Sequence, residues 1–197
     1  MTGSPAEPGF HIRAELPSDR EAVRRVAAAA FADEGPTITA LLDALDAAGR
    51  VVVGLVAELD GSVVGHVQLN RSWLDARERL VDVLVLSPLS VGPGHQGRGI
   101  GSALVAAAIG AAGGTGAPAL FLEGSPTYYA ARGFRRADEL GFERPSARIP
   151  RAAFQMVVLP AYEEWMTGRL VYCDAFWELD CVGLRDPLLA ALEETLA

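Results

Sequence analysis

A glycine-rich stretch between two apolar runs is the feature that most restricts how this chain can fold. Residues 92–101 contain five glycines, follow a β-rich run over residues 80–91, and precede a run of small residues, 102–112, that predicts a helix. In that order of strand, loop and helix, the unpaired backbone N–H groups at the helix N-terminus point at one place, and the helix dipole adds to their attraction for an anion. The sequence therefore predicts an anion site between a strand and a helix.

The glycines and one arginine give this loop its chemical character. Gly97, Gly99 and Gly101 let a ligand approach the backbone closely, and Arg98 can add a guanidinium to a phosphate. A phosphate loop of the NTPase type would end in Gly-Lys-Ser/Thr, whereas here the loop ends in Gly-Ile-Gly-Ser. The dinucleotide fingerprint GxGxxG fits only residues 92–97, where a proline interrupts it and the helix begins too late. A glycine-rich turn without any ligand is the remaining alternative.

The rest of the pattern alternates between strand and helix signals and indicates one domain over residues 9–197. Asp60-Gly61 is a hairpin-turn signal between two β-rich runs, and Ser18 to Glu21 form a capping-box pattern that predicts the start of a helix. We expect a disordered tail at residues 1–8 and a weakly patterned C-terminal extension at about residues 138–197. The predicted strands are 9–16, 51–59, 62–70, 80–91, 117–122 and 154–159. The predicted helices are 19–33, 37–48, 102–112, 126–132 and 187–196. Residues 169–176 are predicted to be a further strand or an extended arm.

Charge and composition argue against several classes of function. The formal net charge of −8 at pH 7 repels phosphate backbones, so we expect no nucleic-acid partner. No apolar stretch reaches the roughly 20 residues of a membrane helix, and the N-terminus resembles no signal peptide, so we expect a cytoplasmic protein without a membrane partner. Cys173 and Cys181 are expected to be reduced. The scattered histidines, His11, His66 and His95, predict no metal site and are expected to be surface or packing residues.

Two motifs in a characteristic order carry a family resemblance. Residues 88–104 read Pro-Leu-Ser-Val-Gly-Pro-Gly-His-Gln-Gly-Arg-Gly-Ile-Gly-Ser-Ala-Leu, in which Gln96, Gly99 and Gly101 fill a pattern Q/R-x-x-G-x-G/A that opens a helix after a strand. Further along, residues 128–134 read Tyr-Tyr-Ala-Ala-Arg-Gly-Phe and fit a second pattern, Y-x-x-x-G-F. Together the motifs resemble those of the GNAT family of N-acetyltransferases, and their residue sequences are similar to those of a YhbS-like bacterial branch.

The resemblance implies a fold and a cofactor. The fold would be α/β, with a mixed, mostly antiparallel central sheet flanked by helices. The sheet would splay where the strand over residues 81–91 parts from the strand over residues 117–122. Residues 138–197 would be a family-variable extension. Acetyl-CoA would enter the gap as acyl donor, and the acceptor would approach from the other side. The backbone of Leu89, Ser90 and Val91 would hold the pantetheine arm as an added strand does. The backbone amides of seven consecutive residues would hold the pyrophosphate: Gln96, Gly97, Arg98, Gly99, Ile100, Gly101 and Ser102.

Two side chains are the first candidates for moving protons. The resemblance implies that Tyr129 lies near the sulfur and protonates the leaving thiolate, a task that a positioned phenol can perform; a packing role in the core is the alternative. Glu123 ends a predicted strand just before the Tyr129 helix, so it is the best candidate for the base that deprotonates the acceptor amine, and an exposed strand-end carboxylate is its alternative. Asp82 and Glu78 are weaker candidates, and water can replace a single base.

The function that follows is transfer of an acetyl group from acetyl-CoA to a primary amine of a small molecule or peptide, by direct attack in a ternary complex. A regulatory module that binds acyl-CoA without transfer, and a nucleotide-binding oxidoreductase, are the two alternatives. Aromatic and acidic residues alternate over residues 161–180, where they either bind a cationic amine, form a covering layer, or make the contact of a homodimer. The aromatic residues of this segment are Tyr162, Trp165, Tyr172, Phe176 and Trp177.

Overall fold

The computed structural model describes residues 9–196, which form one eight-stranded sheet with helices on both faces. The tail predicted at residues 1–8 lies outside the described residues. The strands are β1 (Phe10–Ala14), β2 (Val51–Leu59), β3 (Ser62–Ala76), β4 (Leu80–Val91), β5 (Ala119–Glu123), β6 (Arg135–Arg136), β7 (Phe154–Val158) and β8 (Gly168–Val171). The helices are α1 (Arg20–Phe31), α2 (Gly35–Ala47), α3 (Ile100–Gly113), α4 (Pro126–Ala130), α5 (Asp174–Glu178) and α6 (Leu188–Leu196).

The sheet is mixed and mostly antiparallel, as the sequence predicts. Its strand order is β1-β2-β3-β4-β5-β7-β6, and β8 pairs with the C-terminal part of β3, which extends past the pairing with β2. Among the described residues, β4 and β5 form the single parallel pair of named strands, while the remaining pairs are antiparallel. A parallel pair needs a long crossover connection, and α3 provides it between β4 and β5.

Side chains of each strand alternate between two apolar layers. On the face that we call the α3 face, Leu69, Leu84 and Leu120 pack beneath Leu104 and Val105 of α3. The opposite face is covered by α1, α2 and the C-terminal segment. Buried side chains there come from β4, β5, β7, α2, β8 and α5, and they include Val85, Phe121, Phe154, Leu45, Leu170 and Phe176.

The sheet splays between β4 and β5, where the resemblance implies a gap. These strands are paired only at Leu84↔Leu120 and Val85↔Phe121. Just beyond, β4 has a bulge, because the register shifts between Val67 and Leu69 of β3. From there to Val91, β4 has no pairing with β5. We call this opening the β4–β5 gap.

The helix cap predicted at Ser18 is wrong, because the side chain of Asp19 takes up the backbone group before the helix. Ser18 does not cap a helix: it is exposed inside a 3-10 turn, and α1 begins at Arg20. The carboxylate of Asp19 instead accepts a hydrogen bond from the backbone N–H of Leu16 and forms an ion pair with Arg13. For residues 169–176, predicted as a further strand or an extended arm, the strand is confirmed as far as Val171, the end of β8, and α5 begins at Asp174.

The C-terminal part of the chain is built into the same sheet. Strand β7 lies between β5 and β6, and β8 pairs with Trp73 to Ala76 of β3. Cys173 and Cys181 are free thiols. Within residues 9–196 no helix is long and apolar enough to cross a membrane, and no cluster of His, Cys, Asp or Glu is placed to hold a metal ion.

Candidate active site

The glycine loop and α4 enclose a cavity of about 440 Å³ at the N-terminus of α3. We call it the loop cavity. Most of the residues predicted to hold the pyrophosphate line it, and two side chains from the α4 region close it on the other side. Its lining consists of Leu89, Val91, His95, Gln96, Gly97, Gly99, Ile100, Gly101, Ser102, Tyr128 and Arg132. Arg98, the one predicted loop residue outside this lining, is exposed.

Two glycines of the loop are required by geometry. Gly99 precedes α3 with a φ of 84°, a left-handed conformation that side chains other than glycine rarely adopt. A Cβ atom on Gly101 would lie 2.5 Å from the hydroxyl oxygen of Tyr128, so the absence of a side chain lets Tyr128 lie directly on the first turn of α3. Both glycines therefore shape the wall of the loop cavity at the N-terminus of α3.

The open edge of β4 joins the loop cavity to the β4–β5 gap. The N–H of Gly92 donates to the carbonyl of Val64 on β3, so Gly92 and Ser90 direct their backbone groups toward β3. By the alternation of an antiparallel pair, Leu89 and Val91 direct theirs toward the gap, and both also line the loop cavity. Of the three residues predicted to bind the pantetheine arm, Leu89 and Val91 thus offer backbone groups to the gap and Ser90 does not.

Gln96 connects this strand edge to the loop. Its side-chain amide Nε2 donates to the carbonyl oxygen of Val91 at 3.0 Å. The hydrogen bond holds the end of β4 against the loop that follows it, which gives Gln96 a role in shaping the loop besides the predicted contribution of its backbone amide.

Tyr129 lies at the end of β5 on the α3 face. Its ring packs so closely on Gly124 that a Cβ there would lie 2.4 Å from ring atom Cε2, and it contacts the ring of Phe134 edge to face. The turn before α4 is fixed by Gln155, whose Nε2 donates to the carbonyls of Gly124 and Ser125. Burial raises the pKa of Tyr129 to about 12, with the charge of a nearby arginine opposing the shift.

Glu123 faces the opposite side of the sheet from α3, beneath the C-terminal segment. Its Oε2 accepts a hydrogen bond from the backbone N–H of Gly183 at 2.9 Å, and the hydroxyl of Tyr172 lies near the carboxylate. Burial raises the pKa of Glu123 to about 7, against the opposing effects of Tyr172, of the Gly183 N–H and of Arg148. The carboxylate is therefore a partly buried, hydrogen-bonded group and not the exposed strand end of the alternative interpretation.

A short C-terminal segment holds the side chain of Glu123 in place. Residues 181–184, which we call the C-terminal strap, are fixed at three points. Cys181 donates to the carbonyl of Phe176, Gly183 donates to Glu123, and Leu184 donates to the carbonyl of Arg148. The strap thus covers the Glu123 side of the sheet.

Two buried side-chain amides support the β4 bulge from the face of the sheet that carries Glu123. The Nδ2 of Asn70 donates to the carbonyl of Ser87 within the bulge, and its Oδ1 accepts from Nε2 of Gln68 at 2.7 Å. Both side chains are buried. Because Gln68 opposes two residues of β4, Ser87 and Pro88, the ladder leaves this carbonyl without a backbone partner, and Asn70 provides one.

The structure separates the weaker base candidates from the site. Asp82 and Glu78 lie at or before the start of β4, at the other end of the strand from the glycine loop, and both are exposed. Asp82 approaches Arg71 at 3.9 Å instead. Glu123 and Tyr129, by contrast, flank the end of β5 beside the β4–β5 gap.

Arg132 and His95 line the loop cavity, although neither was given a binding role from the sequence. Arg132 lies inside the second motif at a position that the family pattern leaves open. His95, expected at the surface or in packing, lines the loop cavity, and its Nδ1 is buried without a hydrogen-bond partner among residues 9–196. Its place within the glycine loop was the available signal, whereas Arg132 reaches the loop only through tertiary packing.

The aromatic residues of the C-terminal part form a covering layer in this structure. Tyr172 and Phe176 are in the core, Tyr162 packs on Phe142, and Trp165 lies partly buried against the same core. Trp177 is the most exposed of the five, at 42% of its surface. Their packing explains how this segment completes the face that carries Glu123.

Comparisons with known proteins agree with the fold. Residues 18–142 match the family described as the Acetyltransferase (GNAT) family. An uncharacterized N-acetyltransferase of Escherichia coli K12, YjhQ, is 30% identical over 171 residues, covering 84% of this chain and 92% of YjhQ.

Two solved structures with bound cofactor are also similar. One is the GNAT family N-acetyltransferase YhbS of Escherichia coli in complex with CoA, with a TM-score of 0.77 and 25% identity, covering 89% of this chain and 96% of that one. The other is a GNAT family acetyltransferase of Brucella melitensis in complex with acetyl-CoA, with a TM-score of 0.68 and 32% identity, covering 85% and 97%.

Proposed function

This chain belongs to the GNAT family of acetyltransferases, and we propose that it transfers the acetyl group of acetyl-CoA to a primary amine of a small molecule or peptide. One observation carries the proposal. The loop cavity at the N-terminus of α3 continues into the β4–β5 gap along the backbone of Leu89 and Val91. A molecule with a pyrophosphate at one end and an extended amide-containing arm at the other fits that path. Two similar family members have CoA or acetyl-CoA bound.

The donor half of the reaction uses the backbone. Amides of residues 96–102 at the α3 N-terminus bind the pyrophosphate, since unpaired helix N–H groups and the helix dipole favour an anion there. The pantetheine arm forms strand-like hydrogen bonds with Leu89 and Val91 at the open edge of β4. The thioester then lies in the gap, at the end of β5.

The leaving thiolate needs a proton, and Tyr129 is the donor we assign. The amine nitrogen attacks the thioester carbon, the C–S bond breaks, and the sulfur takes the proton of the Tyr129 hydroxyl. Because burial raises the pKa of Tyr129 to about 12, the phenol is protonated at neutral pH and ready to donate. Its hydroxyl has no hydrogen-bond partner among residues 9–196 that would compete for that proton.

The attacking amine loses a proton, and Glu123 is the base we assign. It lies on the face opposite the donor helix α3, which suits an acceptor that approaches from that side. A carboxylate with a pKa near 7 is partly ionised at neutral pH and basic enough to accept a proton from an amine under attack. Direct attack in a ternary complex requires no covalent enzyme intermediate, and orientation in the gap supplies part of the rate.

The test is an amine-library screen for CoA release, repeated with Tyr129→Phe. We expect turnover with at least one amine, and a kcat lowered about 100-fold or more in the variant, as loss of a general acid predicts. CoA affinity, measured by calorimetry, should change little. Tyr162→Phe, which alters a tyrosine packed on Phe142, is the matched control and should keep its kcat.

The same screen separates this proposal from its alternatives. Tight CoA binding with no turnover of any amine would support an acyl-CoA-binding regulatory module. Thermal stabilisation by NAD(H) but not by acetyl-CoA would support a nucleotide-binding oxidoreductase.

A further inference from the structure

Arg132 reaches from the C-terminal end of α4 into the wall of the loop cavity. Its Nε and Nη2 donate to the hydroxyl of Ser102, at 3.1 and 2.6 Å, and its Nη1 donates to the carbonyl of Tyr128. The guanidinium also lies over the ring of Tyr128, 3.4 Å from the ring centroid. It is therefore held at the first turn of α3, beside the backbone amides of the pyrophosphate site.

The positive charge of Arg132 has no counter-ion in the part of the chain that the structure describes. Its hydrogen bonds go to neutral oxygens, whereas Arg136 and Arg148 pair with the carboxylates of Asp138 and Asp180. Two of its N–H groups share the single oxygen of Ser102, which leaves other donors of the guanidinium free. A cation beside the positive end of a helix dipole is unfavourable unless an anion joins both.

We propose that Arg132 is a ligand of the pyrophosphate of coenzyme A, a contact that rests on the proposed function. The phosphate oxygens would lie between the α3 amides and the guanidinium, which can bind them with its free N–H donors. Tyr128 holds the guanidinium in that place by stacking. Arg98, which the sequence favours for this role, is exposed and outside the lining of the cavity.

The contact would also link the position of the bound coenzyme to that of Tyr129, the proposed proton donor. Arg132 follows Tyr129 by three residues, and its backbone N–H donates to the carbonyl of Tyr129 at 2.9 Å. A pyrophosphate bound by both α3 and Arg132 fixes the α4 segment against the glycine loop. The phosphate end of the cofactor thereby holds Tyr129 in position at the thioester end.

The experiment measures binding of three probes to the full chain by calorimetry: CoA, 3′-dephospho-CoA and pantetheine. For Arg132→Gln we expect affinity for CoA and for 3′-dephospho-CoA to fall about 10–100-fold, and the dependence of log Kd on log salt concentration to become shallower. Pantetheine, which has no pyrophosphate, should bind as it does to the wild type. Arg132→Lys should lose less, and Arg135→Gln, which removes an exposed charge on β6, should behave as wild type.

Several results would overturn the proposal. The first is a CoA affinity of Arg132→Gln that stays within about twofold of the wild-type affinity. The second is an equal loss of affinity for pantetheine, which would indicate a structural role. The third is a loss of affinity for CoA but not for 3′-dephospho-CoA, which would assign Arg132 to the 3′-phosphate. Apo melting temperatures of the variants show whether folding is affected, and Arg132→Lys keeps the test valid if Arg132→Gln is unstable. If the wild type binds neither CoA nor 3′-dephospho-CoA, the proposed function itself fails.

Discussion

Burial raises the pKa of both Glu123 and Tyr129, and the two shifts suit opposite tasks. For Tyr129 the value of about 12 keeps the proton on the phenol, so the group is a donor at neutral pH. For Glu123 the value of about 7 makes the carboxylate a stronger base while leaving part of it ionised. Both residues border the end of β5, but they face different sides of the sheet, which would keep the donor and acceptor halves of the proposed reaction apart.

Glu123 should make folding stability depend on pH. Its pKa is about 7 in the folded protein against an ordinary value of 4.5, so the folded state holds more protons between these values. The contribution is therefore fully present below pH 4.5 and is lost as pH rises through 7. We expect the free energy of unfolding of Glu123→Gln, relative to wild type, to rise between pH 5 and pH 8 in urea titrations.

The control for this measurement is Glu193→Gln, which alters an exposed carboxylate on α6. Its difference from wild type should stay flat over the same pH range. Parallel stability curves for Glu123→Gln and wild type would show that Glu123 ionises in the folded protein as it does in the unfolded chain.

At the scale of elements, the β4 bulge depends on a side chain from the neighbouring strand. Asn70 donates to the part-buried carbonyl of Ser87 and accepts from Gln68, and the side chains of Asn70 and Gln68 are buried. The bulge starts the part of β4 that leaves β5, so these amides maintain the opening into which the pantetheine arm would fit.

Asn70→Leu should destabilise the protein by about 2 kcal/mol, because it leaves the part-buried carbonyl of Ser87 and the buried amide of Gln68 without their Asn70 partner. Affinity for CoA should fall as well, since the strand edge would shift. Ser72→Ala is the matched control on the same face of β3. The hydroxyl of Ser72 is buried and has no hydrogen-bond partner among residues 9–196, so its removal should cost little. Equal unfolding free energies for the two variants in urea would contradict this role of Asn70.

The accuracy of sequence-based prediction followed the range of the interactions. The bounds of β4 were predicted as observed, because its apolar run ends at a glycine loop that marks its own boundary. Strand β3 was predicted to end at Asn70 but continues to Ala76. Its last residues lie between β4, which pairs with Arg71 to Asp75, and β8, which comes nearly 100 residues later and pairs with Trp73 to Ala76. The same limit applies at the site: the glycines of the loop are local signals, whereas the place of Arg132 results from packing between α4 and α3.

At the scale of the whole molecule, the C-terminal part completes the sheet and the layer over Glu123. Strand β7 pairs along all of β5, and Tyr172 and Phe176 fill the core beside Phe121 and Phe154. Helix α6 differs, because none of its described residues is buried. The chain beyond Gly141 therefore contains both a structural layer and an element with little packing.

Two truncations should distinguish these parts. Ending the chain after Arg185 removes α6 but keeps the C-terminal strap, so we expect the melting temperature to stay within about 2 °C of wild type. Ending it after Tyr162 removes β8, α5 and the strap, exposes Phe121 and Phe154, and should give an insoluble or unfolded protein. A soluble, cooperatively folding product of the longer deletion, seen by circular dichroism, would show that the layer is dispensable.

The hydrogen bond from Gly183 to Glu123 gives the molecule a built-in spectroscopic probe. An amide proton that donates to a carboxylate changes its resonance when that carboxylate gains a proton, and Gly183 is the backbone amide in this position. Nuclear magnetic resonance reads such a signal one residue at a time. The Gly183 cross-peak would thus follow the ionisation of Glu123 directly, in the resting protein and with an amine bound beside it, without altering either residue.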